Sequence, residues 1–205
     1  FRFFFSEGRR DIENVTELGA SRPLPVGSYQ IDRGIFENFL GEEVQRRGIS
    51  FEQQAMVRDV ALTEDKAGLH TVTWQQQGQP AQSTQARWVI DASGRAGLLK
   101  KKLHLAKGNE HPVHSVWFRN SARITPDDWS DDPAWRQRCV TPTRWLSTNH
   151  LVGAGYWVWL IPLSSGSHSV GIVADPRWHA LEEMNTFERA LDWLRRLGPR
   201  ACFFS

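Results

Sequence analysis

The chain has 205 residues, 40% of them hydrophobic, with 25 basic against 23 acidic side chains, enough to bury a sizeable core in one large or two small domains. A net charge of +2 supplies no field to hold nucleic acid or an anionic membrane surface, and no apolar run of about 18 residues marks a membrane span or a secretory leader. Two cysteines, Cys139 and Cys202, without paired spacing argue against a disulfide framework or a zinc site and fit a reducing compartment, so a cytoplasmic setting is the expectation.

The chain opens on Phe1-Arg2-Phe3-Phe4-Phe5, an aromatic run that reads as a buried strand with neighbours on each side. This start, and the apolar stretch 201–205, are expected to be interior to a longer protein. A polar segment reaches Leu18, and Ser21-Arg22-Pro23-Leu24-Pro25-Val26-Gly27 is a loop that ends the first unit. From Tyr29-Gln30-Ile31-Asp32-Arg33-Gly34 the pattern turns helical. Asp32 is placed as an N-cap, Ile35, Phe36, Phe39, Leu40 and Val44 recur at three- and four-residue spacing, and Gly48 is the stop.

Three strands are expected over 55–60, 69–75 and 87–91, with the turn Gln76-Gln77-Gly78-Gln79-Pro80 between the second and third. The last, Trp88-Val89-Ile90, runs into Asp91-Ala92-Ser93-Gly94-Arg95-Ala96-Gly97 and then Leu98-Leu99. A strand, a small-residue turn and a helix start aim backbone N–H groups at whatever lies above the turn.

Lys107-Gly108-Asn109-Glu110 reads as a boundary. A strand over 114–119, an acidic loop carrying Asp127, Asp128, Asp131 and Asp132, and a short helix around 134–138 follow. His111 and His114 are separated by Pro112 and lack a third ligand at useful spacing, so no metal is expected. The acidic loop has no EF-hand order, is broken by Pro133, and reads as solvated.

Gly155-Tyr156-Trp157-Val158-Trp159-Leu160-Ile161-Pro162-Leu163, the turn formers Ser164-Ser165-Gly166-Ser167, and Ser169-Val170-Gly171-Ile172-Val173-Ala174 predict a β-hairpin. Alternation sends Trp157, Trp159 and Ile161 to one face and Tyr156, Val158 and Leu160 to the other. Both faces are apolar, so both are covered; the indoles belong either to a core or to a wall against a flat ligand. The last element is a helix over 180–197 with Leu181, Met184, Phe187, Ala190, Leu191 and Leu194 inside, stopped by Gly198-Pro199.

The spacing Trp-x-Trp-x-Ile-Pro at 157–162 matches the signature of the flavin-dependent halogenases, and the run from Ser147-Thr148-Asn149-His150 to Val173 resembles the halogenase-like flavoproteins. The segment Tyr29-Gln30-Ile31-Asp32-Arg33 resembles a helix start of the flavoprotein hydroxylase and geranylgeranyl reductase superfamily, and Ile90-Asp91-Ala92-Ser93-Gly94 resembles the turn that ends its nucleotide-binding sheet. The resemblance implies a mixed α/β fold. Residues 1–105 would form part of an FAD-binding Rossmann-like domain and 106–205 an antiparallel substrate-side sheet with packing helices. It implies that Trp157, Trp159, Ile161 and Pro162 lie beside the flavin and keep organic substrate away, so that halide is oxidised instead. Arg33, Asp91, Ser93 and Gly94 would lie near FAD, with Val57 near its adenine.

The superfamily's Gly-x-Gly-x-x-Gly turn and its Gly-Asp dipeptide are missing from this sequence, and none of the lysines at 66, 100, 101, 102 and 107 stands where halogenases place their catalytic lysine. The resemblance therefore implies a central portion of an FAD-dependent oxidoreductase that acts with reduced flavin, oxygen and halide on a small aromatic substrate, served by a flavin reductase. The alternatives are an FAD-dependent monooxygenase or reductase of the same superfamily, or a noncatalytic module. The chain alone is expected to be inactive and to bind FAD weakly. The sequence leaves the halide and the oligomeric state open.

Overall fold

The computed structural model describes residues 1–22 and 25–197. Pro23-Leu24 of the expected loop, the Gly198-Pro199 helix stop and the apolar stretch 201–205 lie outside the described residues. The fold is mixed α/β, and its contacts separate two units that are interleaved in sequence: Phe1–Phe36 with His111–Ser205, and Glu37–Glu110.

The first unit is built on a six-stranded sheet. Its strands are β1 (Arg2–Phe5), β2 (Thr16–Gly19), β6 (His114–Asn120), β7 (Asn149–Gly153), β8 (Tyr156–Pro162) and β9 (His168–Ala174), in the order β2-β1-β7-β8-β9-β6. All neighbours run antiparallel except β1 and β7, which pair in parallel with Arg2 opposite Asn149. The aromatic opening is thus a strand with partners on both sides, as its composition requires. Period-two alternation sends Phe4, Leu151, Val158, Leu160, Val170 and Ile172 to one face, where each is at most 4% exposed.

That face is covered by helix α4 (Phe187–Leu197) through Ala190, Trp193 and Leu194, together with Met184, Ile12 and Trp135. Burying one such aliphatic side chain contributes roughly 1.5 to 3 kcal/mol. The expected helix over 180–197 is in fact two pieces. Leu181–Glu183 forms a 3-10 turn, and α4 starts afresh where Thr186 Oγ1 accepts from Arg189 N at 3.3 Å. Met184, Ala190 and Leu194 lie inside as expected, whereas Leu181 and Phe187 are 38% and 53% exposed and Trp193, outside the expected set, is buried.

A buried ionic cluster closes one margin of the core. Glu17 of β2 accepts from Arg2 and, at 2.8 Å, from Arg144 Nε. Arg144 also donates to Asp127 Oδ1 at 3.3 Å and to the Trp135 carbonyl at 2.8 Å, with its guanidinium 3.8 Å from the Trp135 ring centroid. The acidic loop is therefore not simply solvated. The 3-10 turn Pro126–Asp128 carries Asp127 into the protein to meet Arg144, and Asp132 caps helix α3 (Pro133–Gln137) by accepting from Trp135 N at 2.9 Å. Cys139 is buried beside this cluster, and burial pushes its thiol pKa up.

The second unit is an antiparallel meander of β3 (Ala55–Ala61), β4 (His70–Gln76) and β5 (Gln82–Ala86), followed by helix α2 (Leu98–Lys102). The third strand forms on the polar Gln82–Ala86 stretch rather than over 87–91. Its ladder ends where Ala86 meets His70, the first residue of β4. Beyond that point Trp88 and Ile90 have no strand beside them among the described residues, and they are 85% and 89% exposed. Helix α1 (Arg33–Arg46) forms where its spacing predicts, but none of its residues is buried.

Candidate functional site

The hairpin forms with the predicted alternation. Val158 and Leu160 enter the core, while Trp157, Trp159 and Ile161 are half-buried on the opposite face. Directly paired residues share a face, so the register lays one row across the sheet: Leu18, Phe3, His150, Trp159, Gly171 and Trp117. A second row brings Phe5, Val152, Trp157 and Val173 together. The two tryptophans thus belong to an aromatic floor several strands wide. Phe3 stacks on His150 at 4.8 Å between centroids, and burial holds the His150 pKa below its ordinary value, which favours the neutral ring.

Pro162 stands where the sheet tolerates it. β7 begins opposite Leu160, so Pro162 has a ladder partner only on the β9 side, where it faces His168. The turn that follows is closed by Leu163 N donating to the Ser167 carbonyl at 2.8 Å and has Gly166 at φ +88°. This left-handed backbone suits glycine.

The turn is also tied to the start of α1. Asp32 is 2% exposed. Its carboxylate accepts both terminal nitrogens of Arg119, from β6, at 2.7 and 2.8 Å, and Ser165 Oγ at 2.7 Å. The bond from Arg119, followed by that from Ser165, lowers the Asp32 pKa. Asp32 thus does more than cap the helix: it fastens β6, the hairpin turn and the backbone just before Arg33. The one sequence signal for this is the polar turn itself.

The turn after the meander reads differently in three dimensions. Asp91 Oδ1 accepts from Ser93 N at 2.9 Å, Asp91 Oδ2 from Leu99 N at 2.8 Å, and Ser93 Oγ from Leu98 N at 3.1 Å. The helix-start donors expected to point at a ligand are therefore taken at Leu98 and Leu99 by the turn's own side chains. A bond from the Ser93 side chain, followed by those from the backbone of Ser93 and Leu99, lowers the Asp91 pKa. Val57, Asp91 and Ser93 line one cavity of about 430 Å³ whose other walls include Val72, Trp88 and Leu98. Gly94 follows at φ +59°. Arg33 belongs to the other contact unit.

For FAD, these residues fit in part. Val57 and its apolar neighbours offer a surface for a flat ring, but the occupied donors of Leu98 and Leu99 give no cradle for a pyrophosphate. Among the described residues no group of three or more His, Cys, Asp or Glu could hold a metal ion, and no helix is long and apolar enough to cross a membrane.

The fold is shared with solved flavin-dependent halogenases. Residues 18–197 match the tryptophan halogenase family, and the chain belongs to it. Among curated relatives, the flavin-dependent halogenase armH2 of Armillaria mellea is 22% identical over 166 residues, covering 78% of this chain and 30% of that protein. The 1H-pyrrole-2-carbonyl-[peptidyl-carrier protein] chlorinase of Pseudomonas fluorescens is 27% identical over 154 residues, covering 71% of this chain and 30% of that protein. Among solved structures, the halogenase PltM superposes with a TM-score of 0.71 at 18% identity, over 97% of this chain and 39% of that one. The halogenase CmlS superposes at 0.65 and 22%, over 98% and 33%. PltM has also been solved in complex with phloroglucinol and FAD. The chain spans about 30% of the length of these curated relatives.

Proposed function

We propose that this chain is the central part of an FAD-dependent halogenase-like oxidoreductase whose aromatic floor separates the cofactor from a small aromatic substrate. The observation that carries this is the half-buried placement of Trp157 and Trp159 on the face turned away from the core, within the matched family segment. Trp157, Trp159, Ile161 and Pro162 hold no acid or base, so their contribution is exclusion and shape. They keep water and organic molecules from one side of the flavin by presenting a rigid apolar wall. Bound FAD would supply the activation of oxygen. Arg33 would place a cation beside the nucleotide, and Val57 an apolar contact near the adenine. Asp91 and Ser93 would act through the turn they brace, leaving Gly94 as the residue whose backbone approaches the cofactor. A flavin reductase would deliver the reduced cofactor.

With two helix-start donors of the turn already engaged, few contacts remain for FAD in this chain. Ordinary hydrogen bonds net about 1 kcal/mol each and charged ones about 1.5 to 3. The expected dissociation constant is on the order of 0.1 to 1 mM. Titrating the purified chain with FAD while following flavin fluorescence tests this. Submicromolar binding, or halide turnover with reduced flavin, would mean that the chain is a working enzyme by itself.

A further inference from the structure

We infer that Ser169 and Gly171, which lie on β9 outside the Trp-x-Trp-x-Ile-Pro motif, are the positioning residues of Trp159; the inference rests on the reading of that indole as part of the wall between cofactor and substrate. Trp159 pairs directly with Gly171, and Ile161 pairs with Ser169, so both β9 residues lie on the face of the two tryptophans. A Cβ added at Gly171 would stand 2.0 Å from Trp159 Cζ2, 2.3 Å from Cε2 and 2.4 Å from Cη2. The benzenoid edge of the indole therefore lies directly over Gly171, in space that any other residue would fill.

Gly171 is not among the residues with positive φ, so its backbone would accept any side chain. Room for the indole is the reason for glycine at this position. Across β9 the same row continues to Trp117 of β6, so the ring of Trp159 leans over β9 on the side of a second tryptophan. The adjoining N–H on the same edge of the ring is fixed as well. Trp159 Nε1 donates to Ser169 Oγ at 3.1 Å, a bond between diagonal neighbours two residues apart along β9. One residue makes the space and the other fixes the angle. Together they determine which edge of the indole the wall presents.

The test reads this orientation without flavin. In a ¹⁵N-labelled chain, the Trp159 indole N–H resonance is assigned by its loss in W159F. In S169A that resonance should move upfield and exchange with water on the order of tenfold faster, as expected for one lost hydrogen bond. S169T, which keeps the hydroxyl, should restore both. G171A should lower the melting temperature by about 5 °C through overpacking. The same substitution in a W159A background should leave the melting temperature unchanged or raise it, because alanine suits a strand better than glycine once nothing lies above it. An unmoved Trp159 signal in S169A, or equal destabilisation by G171A in both backgrounds, overturns the assignment. Since no flavin is present, that failure is distinct from a failure of the flavin titration.

Discussion

Helix α4 buries Ala190, Trp193 and Leu194 against the six-stranded sheet, whereas α1 leaves Ile35, Phe36, Phe39 and Leu40 between 40% and 62% exposed. Both helices carry apolar residues at helical spacing; what differs is where the charges fall. At about 100° per residue, the α4 charges Glu188, Arg189, Asp192, Arg195 and Arg196 occupy one arc, and its apolar residues occupy the other. In α1, Glu43 and Arg46 fall inside the arc that holds Phe36 and Phe39, where Arg46 donates to Glu43 at 2.7 Å. Apolar spacing alone identifies residues that favour burial. Segregation of charge shows whether one continuous face is free to be buried.

Three perturbations would sharpen or break that contrast. Arg144→Ala should have the largest effect, since it leaves the carboxylates of Glu17 and Asp127 buried without their shared partner. A loss of about 3 to 5 kcal/mol is expected in urea denaturation, and a loss below about 1 kcal/mol would mean that the cluster is open to water. Next, Trp193→Ala should cost about 3 to 5 kcal/mol by opening a cavity, while Phe39→Ala should cost less than about 1 kcal/mol because the ring is already 56% exposed. Equal losses at the two positions would overturn the comparison of the helices.

The smallest effect concerns acid. Hydrogen bonds from Arg177 lower the Asp175 pKa to about 2, and those from Arg119 and Ser165 lower that of Asp32. A carboxylate whose pKa is depressed by folding contributes stability above its unfolded value of about 3.9, and that contribution is lost as pH falls through the folded value. The melting temperature should therefore fall between about pH 4 and pH 2, and less steeply in D175N and D32N. Superimposable acid limbs for wild type and both variants would count against these two carboxylates as the source.

Much of the fold is legible in local pattern. The alternation around Trp157 and Trp159, the Ser164–Ser167 turn formers and the Asp32 cap each announce their element. Two kinds of feature escape such reading. Polar strands such as Gln82–Ala86 form because a neighbour offers a ladder, a fact not carried by their own residues. Long-range polar pairs such as Glu17 with Arg144 or Asp32 with Arg119 are set by topology, and nothing in the local sequence links their members. Gly171 lies between these cases: a lone glycine inside a strand signals a close approach, but only the register shows that the approaching group is Trp159.

The parallel pairing of β1 with β7 has a consequence for the order of events during synthesis. Arg2 and Asn149 are neighbours in the sheet, yet the entire Glu37–Glu110 unit is made between them. At ordinary elongation rates the partner strand emerges on the order of ten seconds after β1. The β1–β2 hairpin and the meander can both close from nearby residues long before then. Phe3 and Phe5 wait through that interval without their β7 neighbours, and a strand edge left unpaired is open to misassociation until the partner arrives.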